Sequence, residues 1–357
     1  VIVNGLILAE DGTKMSKSLK NYPDPTIVID KYGADALRAY LINSPVVRAE
    51  PMRFSEAGVR EVVRSVMLPL YNAYAFFATY AAVDEWQPPA QASELASRPL
   101  MDRWVVSVAQ SLVGEVNEKM EQYKLYDVIP AVLGFIDHLT NWYIRRSRRR
   151  FWKSDDSTDK QFAFETLYEV LCTFSRLLAP ILPFIAEELY QRLEVGQREG
   201  ALESVHLEMF PEVQPQWIDA DVEASMHLVR DAVSLGRKVR EQNKLPIRQP
   251  LAELKVAVSA SGPGLPAGSE FVDYIRDELN IKTVTVVEDA QTLAQVTIKP
   301  NFRSLGKRLG KRMKPVAAAL SKLPDGPQQV LLDGGTIEVA GEQIGPDDVM
   351  VQLSARG

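Results

Sequence analysis

The sequence is poor in the residues that build metal sites and disulfide frameworks. Its 357 residues include one cysteine, Cys172, and three histidines, His138, His206 and His227. One cysteine cannot form an internal disulfide, and residues so few and scattered exclude an ordinary zinc site. Cys172 lies in the apolar run "TLYEVLCTFSRLLAPILPF", which predicts a buried, inert thiol. We therefore expect neither a metal site nor a disulfide framework in this chain.

A long apolar run and a basic excess are also missing. No run reaches the roughly 20 apolar residues that a membrane helix needs, and no basic-then-apolar signal peptide is present. We therefore expect a soluble, cytoplasmic protein with no membrane partner. The formal net charge is −6, so a nucleic-acid partner would have to be held by local basic patches.

Hydrophobic content of 46% over 357 residues is enough for two or three domains. Apolar residues recur at helical spacing through the middle of the chain, which predicts long amphipathic helices in an antiparallel bundle. We expect a mainly α protein, with the tail of an α/β domain before the bundle and a small α+β domain after it. The predicted segments are 1–50 for the α/β tail, 51–218 for the bundle, 219–250 for a connecting helix and 251–357 for the α+β domain.

Local signals place several elements. A strand is predicted at 5–9, a helix after the Asp24-Pro25 cap that ends at Gly33, and a second helix at 34–42. The apolar run that contains Pro180 and Pro183 is expected to be an interrupted, buried helix. In the last segment "LAELKVAV", "KTVTVVED", "QQVLLD", "GTIEVAG" and "DVMVQLS" resemble strands, "EFVDYIRDELN" a helix and 302–313 a basic helix. On the helix at 220–242 the predicted buried stripe is Leu228, Ala232, Leu235 and Val239.

The stretch "GTKMSKSLKN" follows the first strand and precedes a proline-initiated helix. Lys14 and Lys17 supply mobile positive charges, and the hydroxyls of Ser16 and Ser18 supply hydrogen-bond donors. Such a loop suits a polyphosphate, because phosphoryl and nucleotidyl transfer depend mainly on positioning and charge neutralisation. On charge alone, a solvated basic loop without function is the more common case.

The order of those residues carries a resemblance. "KMSKS" at 14–18 is the signature pentapeptide of class I aminoacyl-tRNA synthetases, and "LILAEDGTKMSKSLKNYPDP" with "YGADALRAYL" resembles the segment that closes their catalytic, nucleotide-binding domain. "NWYIRRSRRRFW" and "LLAPILPFIAEELYQRL" are similar to their anticodon-binding bundle. "NKLPIRQPL" and "NFRSLGKRLGKRMK" narrow the resemblance to the isoleucyl family, in its eukaryote-like branch, and the thiol-free C-terminus agrees with that branch.

This resemblance implies that ATP, accompanied by Mg²⁺, activates isoleucine, which is then transferred to tRNA(Ile). It implies that Lys17 contacts the ATP phosphates, that Lys14 assists as pyrophosphate charge develops, and that Ser16 and Ser18 shape the ATP-binding loop that also includes Met15. It further implies a monomer without zinc in this chain.

The sequence departs from the whole family in one respect. The second class I signature, histidine-x-glycine-histidine, is absent, because all three histidines are followed by leucine. ATP and isoleucine would therefore be bound through a missing N-terminal half. We expect a C-terminal fragment that does not form the adenylate alone. A synthetase for valine, leucine or methionine, and a non-catalytic tRNA- or RNA-binding module, remain alternatives.

Basic residues recur on three predicted helices. Around residue 145 one stripe combines arginines with an indole, which suits phosphates and unstacked anticodon bases; pairing of these arginines with Glu187 and Glu188 is the alternative. Arg150 falls on the core side and is expected to be structural. The predicted tRNA-binding residues are Trp142, Arg145, Arg146, Arg149, Lys153, Arg303, Lys307, Arg308, Lys311 and Arg312. On the helix at 220–242 the residues Arg230, Arg237, Arg240 and Lys244 leave tRNA contact and solvation equally open.

Overall fold

The computed structural model describes residues 3–152, 157–258, 264–266, 268–287, 294–332 and 334–355. The chain divides into two compact units, Val1–Glu223 and Ala224–Gly357. Helices dominate both the N-terminal and the central parts of the chain. The mainly α fold predicted from the sequence is confirmed.

The first unit begins with a minimal parallel sheet. Strand β1 (Ile7–Leu8) pairs with β2 (Met52–Arg53), and helices α1 (Pro25–Tyr32) and α2 (Ala34–Ile42) lie between them in the chain. Asp24 caps α1 by accepting a 2.9 Å hydrogen bond from the amide of Thr26. Gly33, with φ of 86°, ends α1 in a conformation that a β-carbon would disfavour. Both helices have their predicted positions, while the strand is shorter than predicted because its partner has only two residues.

A helical bundle fills the rest of the first unit. Its core residues are mostly those that the helical period selects, including Trp104, Tyr143 and Phe174, all 2% exposed or less. The helices are α3 (Glu56–Val62), α4 (Leu68–Val83), α5 (Leu100–Glu121), α6 (Leu125–Asp137), α7 (Arg145–Trp152), α8 (Ser157–Leu178) and α9 (Pro183–Leu193). The break between α8 and α9 confirms the predicted interruption at the two prolines.

Two π-helical segments join helices that otherwise run on without a turn. Residues 63–67 connect α3 to α4, and residues 138–144 connect α6 to α7. A π segment inserts an extra residue into the helical repeat, so every later side chain is rotated around the helix axis. The faces of α4 and α7 therefore differ from those that an uninterrupted 3.6-residue period predicts.

The continuous helix Glu56–Val83 corrects one expectation. It has 28 residues, and its most apolar 18-residue window has a mean hydropathy of 1.3 with 22% of the window buried. By length and composition alone it is sufficient to cross a membrane, contrary to the expectation that no run is long enough. Phe77 packs edge-on against Phe164 with ring centroids 6.2 Å apart, and Phe76 packs against Phe151 at 4.9 Å. These contacts make it a bundle helix.

The second unit contains most of helix α10 (Ala220–Gln242), whose predicted buried stripe is wrong. Leu235 and Val239 are 63% and 56% exposed, whereas Val229 and Val233 are buried. Arg240 is also buried and donates hydrogen bonds to backbone carbonyls, including that of Leu279 at 2.6 Å. The buried face is an apolar series one position away from the predicted one, and it ends at Arg240. Its members are Val222, Met226, Val229 and Val233.

The rest of this unit is α+β, as predicted. Strands β3 (Leu251–Ala257) and β4 (Ile281–Val287) pair in parallel across helix α11 (Glu270–Leu279), and β5 (Ala294–Pro300) pairs antiparallel with β8 (Val349–Ala355). Strands β6 (Ile337–Val339) and β7 (Glu342–Ile344) form a hairpin. The other helices are α12 (Phe302–Leu309), α13 (Met313–Leu320) and α14 (Asp325–Leu332).

Two predictions for this unit are wrong in detail. The described part of "QQVLLD", residues 328–332, forms the end of helix α14 and not a strand, and Leu331 of this helix packs into the core. The predicted basic helix at 302–313 breaks at Gly310, whose φ of 50° ends α12. The core beneath these helices joins Ile298, Leu305, Leu309, Val316, Leu320, Leu331, Val339 and Ile344.

Candidate functional site

The lysine loop folds back against the first strand. Lys14 forms an isolated antiparallel bridge with Leu8, and the amide of Ala9 donates to the carbonyl of Thr13 at 2.9 Å. Gly12 makes the turn with φ of 85°. The Asp11 carboxylate accepts hydrogen bonds from the hydroxyl and the amide of Thr13, at 2.7 and 2.8 Å, and these bonds lower the Asp11 pKa. The side chains of Asp11 and Thr13 therefore stabilise the turn.

Asn21 joins the two ends of the loop. Its carboxamide oxygen accepts from the amide of Ser16 at 2.9 Å, and its nitrogen donates to the Thr13 hydroxyl at 2.9 Å and to the Lys14 carbonyl at 3.1 Å. One side chain thus fixes the backbone on both sides of the signature pentapeptide. The sequence analysis missed this residue, although asparagine side chains in turns commonly bond neighbouring backbone groups.

The five predicted loop residues differ in what they present. Lys14 and Lys17 are exposed, and among the described residues neither has a carboxylate partner within ion-pair distance. The hydroxyls of Ser16 and Ser18 lie 2.8 Å apart and share a hydrogen bond, while Met15 is half-buried. The loop therefore holds two available cations beside a hydroxyl pair, as a polyphosphate site requires.

The predicted arginine stripe on α7 is only partly brought together. Arg149 is exposed and has no carboxylate partner in the part of the chain that the structure describes, and Arg145 is also exposed. Arg146 is half-buried. Lys153 lies outside the described residues. Among the described residues, Glu188 pairs with Arg192 and Glu187 binds Ser204 and Val205, so neither carboxylate pairs with α7.

Trp142 does not take the position that base stacking requires. Its side chain is 7% exposed, and the Arg145 guanidinium lies 6.0 Å from the ring centroid. The extra residue of the π segment turns this position toward the bundle, where neighbouring His138 contacts Trp104 with ring centroids 5.5 Å apart. An indole so enclosed stabilises the bundle and offers no open face to a base.

Arg150 is structural, as predicted. Its guanidinium donates to both carboxylate oxygens of the fully buried Asp102, at 2.7 and 2.6 Å, and to Asp159 at 2.9 Å. Tyr143 donates a further 2.8 Å bond to Asp102. Burial lowers the pKa of Arg150, but the contacts with Asp102 outweigh it and raise that pKa above its ordinary value. This arginine is not available for RNA.

The basic patch of α12 is partly neutralised. Arg308 donates to Asp348 at 2.8 Å, and Arg312 pairs with Glu342. Arg303 is exposed. The side chains of Lys307 and Lys311 lie outside the described residues. On α10, Arg237 pairs with Glu278 although it stays half exposed, and Arg240 is buried, so only Arg240 is enclosed by the fold.

Cys172 is buried and free, and burial raises the pKa of its thiol well above the usual range. This is the inert thiol that the sequence predicts. Among the described residues no group of three histidine, cysteine, aspartate or glutamate side chains could hold a metal ion.

Comparison with known proteins matches two parts of the chain to family models. Residues 1–53 match the family model "tRNA synthetases class I (I, L, M and V)", and residues 102–258 match "Anticodon-binding domain of tRNA ligase". The chain is 48% identical over 324 residues to the isoleucine–tRNA ligase of Chlamydia pneumoniae, covering 91% of this chain and 30% of that protein. It is 46% identical over 363 aligned positions to that of Chlamydia trachomatis serovar D, covering 100% of this chain and 34% of that protein.

The chain thus spans about a third of the length of the curated relatives it matches. Among solved structures, the LeuRS–tRNA–LeuAMS complex of Agrobacterium radiobacter K84 superposes with a TM-score of 0.43 at 24% identity, over 61% of this chain and 24% of that one. This likeness is too distant to support an argument about the site.

Proposed function

This chain belongs to the isoleucine–tRNA ligases of the class I tRNA synthetase family, and from that premise we propose that the whole protein joins isoleucine to tRNA(Ile) with ATP in an AMP-forming reaction. The observation that carries the proposal is the identity with isoleucine–tRNA ligases along essentially the entire chain. The signature loop and the helical bundle both fall within that alignment.

The loop is the part of this chain that we assign to ATP. When bound, ATP supplies the phosphoanhydride whose cleavage makes the coupling favourable. Lys17 and Lys14 would neutralise charge on the phosphates, because both amines are exposed and lack a carboxylate partner in the described ranges. Ser16 and Ser18 would bond each other or the phosphates, and Met15 would pack beneath the loop. Mg²⁺ would enter with ATP, held by its phosphates.

The bundle is the part that we assign to tRNA. Its family model is an anticodon-binding domain, and Arg149 and Arg145 present positive charge at the surface of α7. Arg303, Lys307 and Lys311 would add phosphate contacts from the second unit. We place the protein in the cytoplasm as a monomer, with ATP and isoleucine held largely by residues outside this chain.

The test uses the full-length protein and this chain side by side. Isoleucine-dependent ATP–pyrophosphate exchange should occur in the full-length protein and not in the chain alone. Lys17→Ala should lower the exchange rate by about a hundredfold or more, as the loss of a preorganised charge contact does. The matched control is Lys20→Ala, which removes a charge from the same exposed loop outside the pentapeptide and should change the rate less than threefold.

Two results would contradict this assignment. Stimulation of the ATP–pyrophosphate exchange by valine, leucine or methionine in place of isoleucine would refute isoleucine as the substrate. Equal losses in Lys17→Ala and Lys20→Ala would show that the loop acts only through its overall charge.

A further inference from the structure

A cavity lies between α4, α8 and α9 in the first unit. Its volume is about 330 Å³, within the roughly 300–1,000 Å³ that is usual for sites of small ligands. The loop that follows α4 contributes Glu85, Trp86 and Pro88 to the lining. The cavity includes none of the residues that we assign to ATP or to tRNA.

The end of α4 departs from the usual composition of a helix C-terminus. The amide of Trp86 donates to the carbonyl of Ala81 at 2.8 Å, and that of Glu85 donates to the carbonyl of Ala82 at 3.4 Å, which is the Schellman motif. The residue after the cap in this motif has a positive φ and is usually glycine. Here it is Glu85, with φ of 50°. A residue that is unfavourable for its backbone conformation indicates a role for its side chain.

The cavity carries an unpaired negative charge. Glu85 is exposed, and among the described residues no cation lies within ion-pair distance of its carboxylate. Arg192 also borders the cavity, but its guanidinium donates to Glu188 at 2.6 Å. The unpaired charge at the cavity is therefore negative, as is the net charge of the chain, −6. Such a potential favours a cationic ligand.

Three aromatic rings form much of the apolar lining. The Trp86 ring centroid lies 5.6 Å from those of Phe77 and Tyr168, which are 6.0 Å apart. The indole is fixed in place, since Phe164 stacks on it at 5.5 Å and its Nε1 donates to Gln161 at 3.0 Å. Aromatic rings attract organic cations, and tryptophan does so most strongly. The rings therefore favour the same kind of ligand as the carboxylate.

The Tyr168 hydroxyl adds a hydrogen-bond donor. It is buried and, within the described ranges, has no hydrogen-bond partner. Burial, together with the nearby Cys172 thiol, raises the pKa of this hydroxyl, so it stays protonated. A buried donor without a partner is uncommon in folded proteins, and an oxygen of a bound ligand would satisfy it.

We propose that this cavity binds a small organic ammonium compound. Its ammonium group lies against Trp86 and Glu85, and an oxygen of the same molecule accepts a hydrogen bond from Tyr168. The carboxylate selects the cation, and the aromatic rings contact the alkyl groups on its nitrogen. The proposal does not depend on the ATP and tRNA assignments above.

The test compares choline with 3,3-dimethylbutan-1-ol, its neutral analogue in which carbon replaces nitrogen. Both compounds carry a hydroxyl and give one methyl signal from equivalent protons, so saturation-transfer NMR measures both affinities for the full-length protein in the same way. Choline should bind about tenfold more tightly, because only choline gains the cation–π and carboxylate interactions. Equal affinities, or no binding of choline, would overturn the proposal.

Glu85→Gln should weaken choline binding about fivefold and leave binding of the neutral compound unchanged. The matched control is Glu121→Gln, which removes a negative charge from an exposed residue of α5 that does not line the cavity. This control should change neither affinity. Equal losses of choline affinity in the two variants would show that only the overall charge of the protein matters, and would contradict the role of Glu85.

Two further variants complete the test. Glu85→Gly places the usual residue in the Schellman motif, so the thermal midpoint should not fall, while the preference for choline should decrease as in Glu85→Gln. A lower midpoint would assign Glu85 to the stability of the fold and overturn the argument. Tyr168→Phe should weaken binding of both compounds about threefold, because both carry the hydroxyl. Unchanged affinities would reject the contact with Tyr168.

Discussion

Arg149 and Arg150 are neighbours in sequence, but the first is exposed and the second is largely buried in the bundle. Replacing each of them tests whether their assigned roles are correct. Arg150 is 16% exposed and paired with Asp102, whose side chain is fully buried. Arg149 is exposed with no carboxylate partner among the described residues. Replacement of each by alanine removes the same charge, so a difference between the variants must come from the environment.

The expected loss of stability in Arg150→Ala follows from the Asp102 carboxylate that stays buried without its partner. Without the guanidinium, Asp102 is a buried carboxylate that keeps a hydrogen bond only from Tyr143 among the described residues. Removal of one partner of a buried pair costs about 3–5 kcal/mol. For a unit of this size about 1 kcal/mol shifts the thermal midpoint by roughly 2–4 °C. We therefore expect a fall of roughly 6–20 °C, only partly restored by Arg150→Lys, because an ammonium cannot bond both carboxylate oxygens in the guanidinium geometry.

Arg149→Ala should show the reverse pattern. A surface substitution of this kind usually changes stability by less than about 0.5 kcal/mol, so the midpoint should stay within roughly 2 °C. If Arg149 binds a tRNA phosphate, the slope of log affinity against log salt should decrease by about 0.7–0.9. Near-ultraviolet circular dichroism on heating and anisotropy across a salt series measure both quantities. Equal midpoint shifts in the two variants, or reduced tRNA affinity of a fully stable Arg150→Ala, would refute the reasoning.

Three further predictions concern the lysine loop, the loss of stability at low pH and a close contact of helix α3. Asn21→Ala removes three hydrogen bonds from the lysine loop. Because each of these bonds contributes roughly 1 kcal/mol, trypsin should cleave the loop of the variant about 5- to 150-fold faster. The Asn43 side chain makes no hydrogen bond in the described ranges, so Asn43→Ala should leave the cleavage rate unchanged. Burial raises the pKa of Glu187, but the hydrogen bonds of this carboxylate outweigh burial and lower its pKa below the ordinary 4.5. The stabilisation that the carboxylate provides is therefore present above pH 4.5 and lost as pH falls through the folded-state pKa. The thermal midpoint of Glu187→Gln should thus fall less between about pH 5 and 3 than that of the wild type. A β-carbon on Gly58 would overlap the Tyr40 ring, so Gly58→Ala should destabilise the chain by about 1–3 kcal/mol. An unchanged thermal midpoint would contradict that close approach.

The sequence predicts those elements whose information is local. Asp24 and Gly33 define α1 because a cap and a positive φ are properties of single residues. The bundle core follows from the helical period, and the signature loop from its residue order. Leu235 and Val239 show where this method fails. Helix α10 has two neighbouring apolar series, and which of them is buried depends on contacts with residues distant in sequence, such as that of Arg240 with the carbonyl of Leu279.

The candidate tRNA site shows a second way in which prediction from the sequence fails. A 3.6-residue period carried through 138–144 places Trp142 outward and Arg148 elsewhere, but the π segment inserts a residue and changes both positions. The periodicity of a single sequence does not show this change.

The segment that carries the lysine loop and the helical bundle are one structural unit, although they match two different family models. Helix α2 holds the turn between α8 and α9 from both sides: the buried Asp35 carboxylate accepts from the amide of Ile185 at 2.7 Å, and Arg38 donates to the carbonyls of Pro180 and Ile181 at 3.0 and 3.1 Å. The acid thus meets the amides at the start of α9 and the cation meets the carbonyls after α8, as the helix dipoles favour. Burial raises the pKa of Asp35 despite these amide bonds and the nearby charge of Arg38. The loop is therefore anchored to the bundle by α2, and a displacement of the turn between α8 and α9 would be felt at the helix that follows the loop.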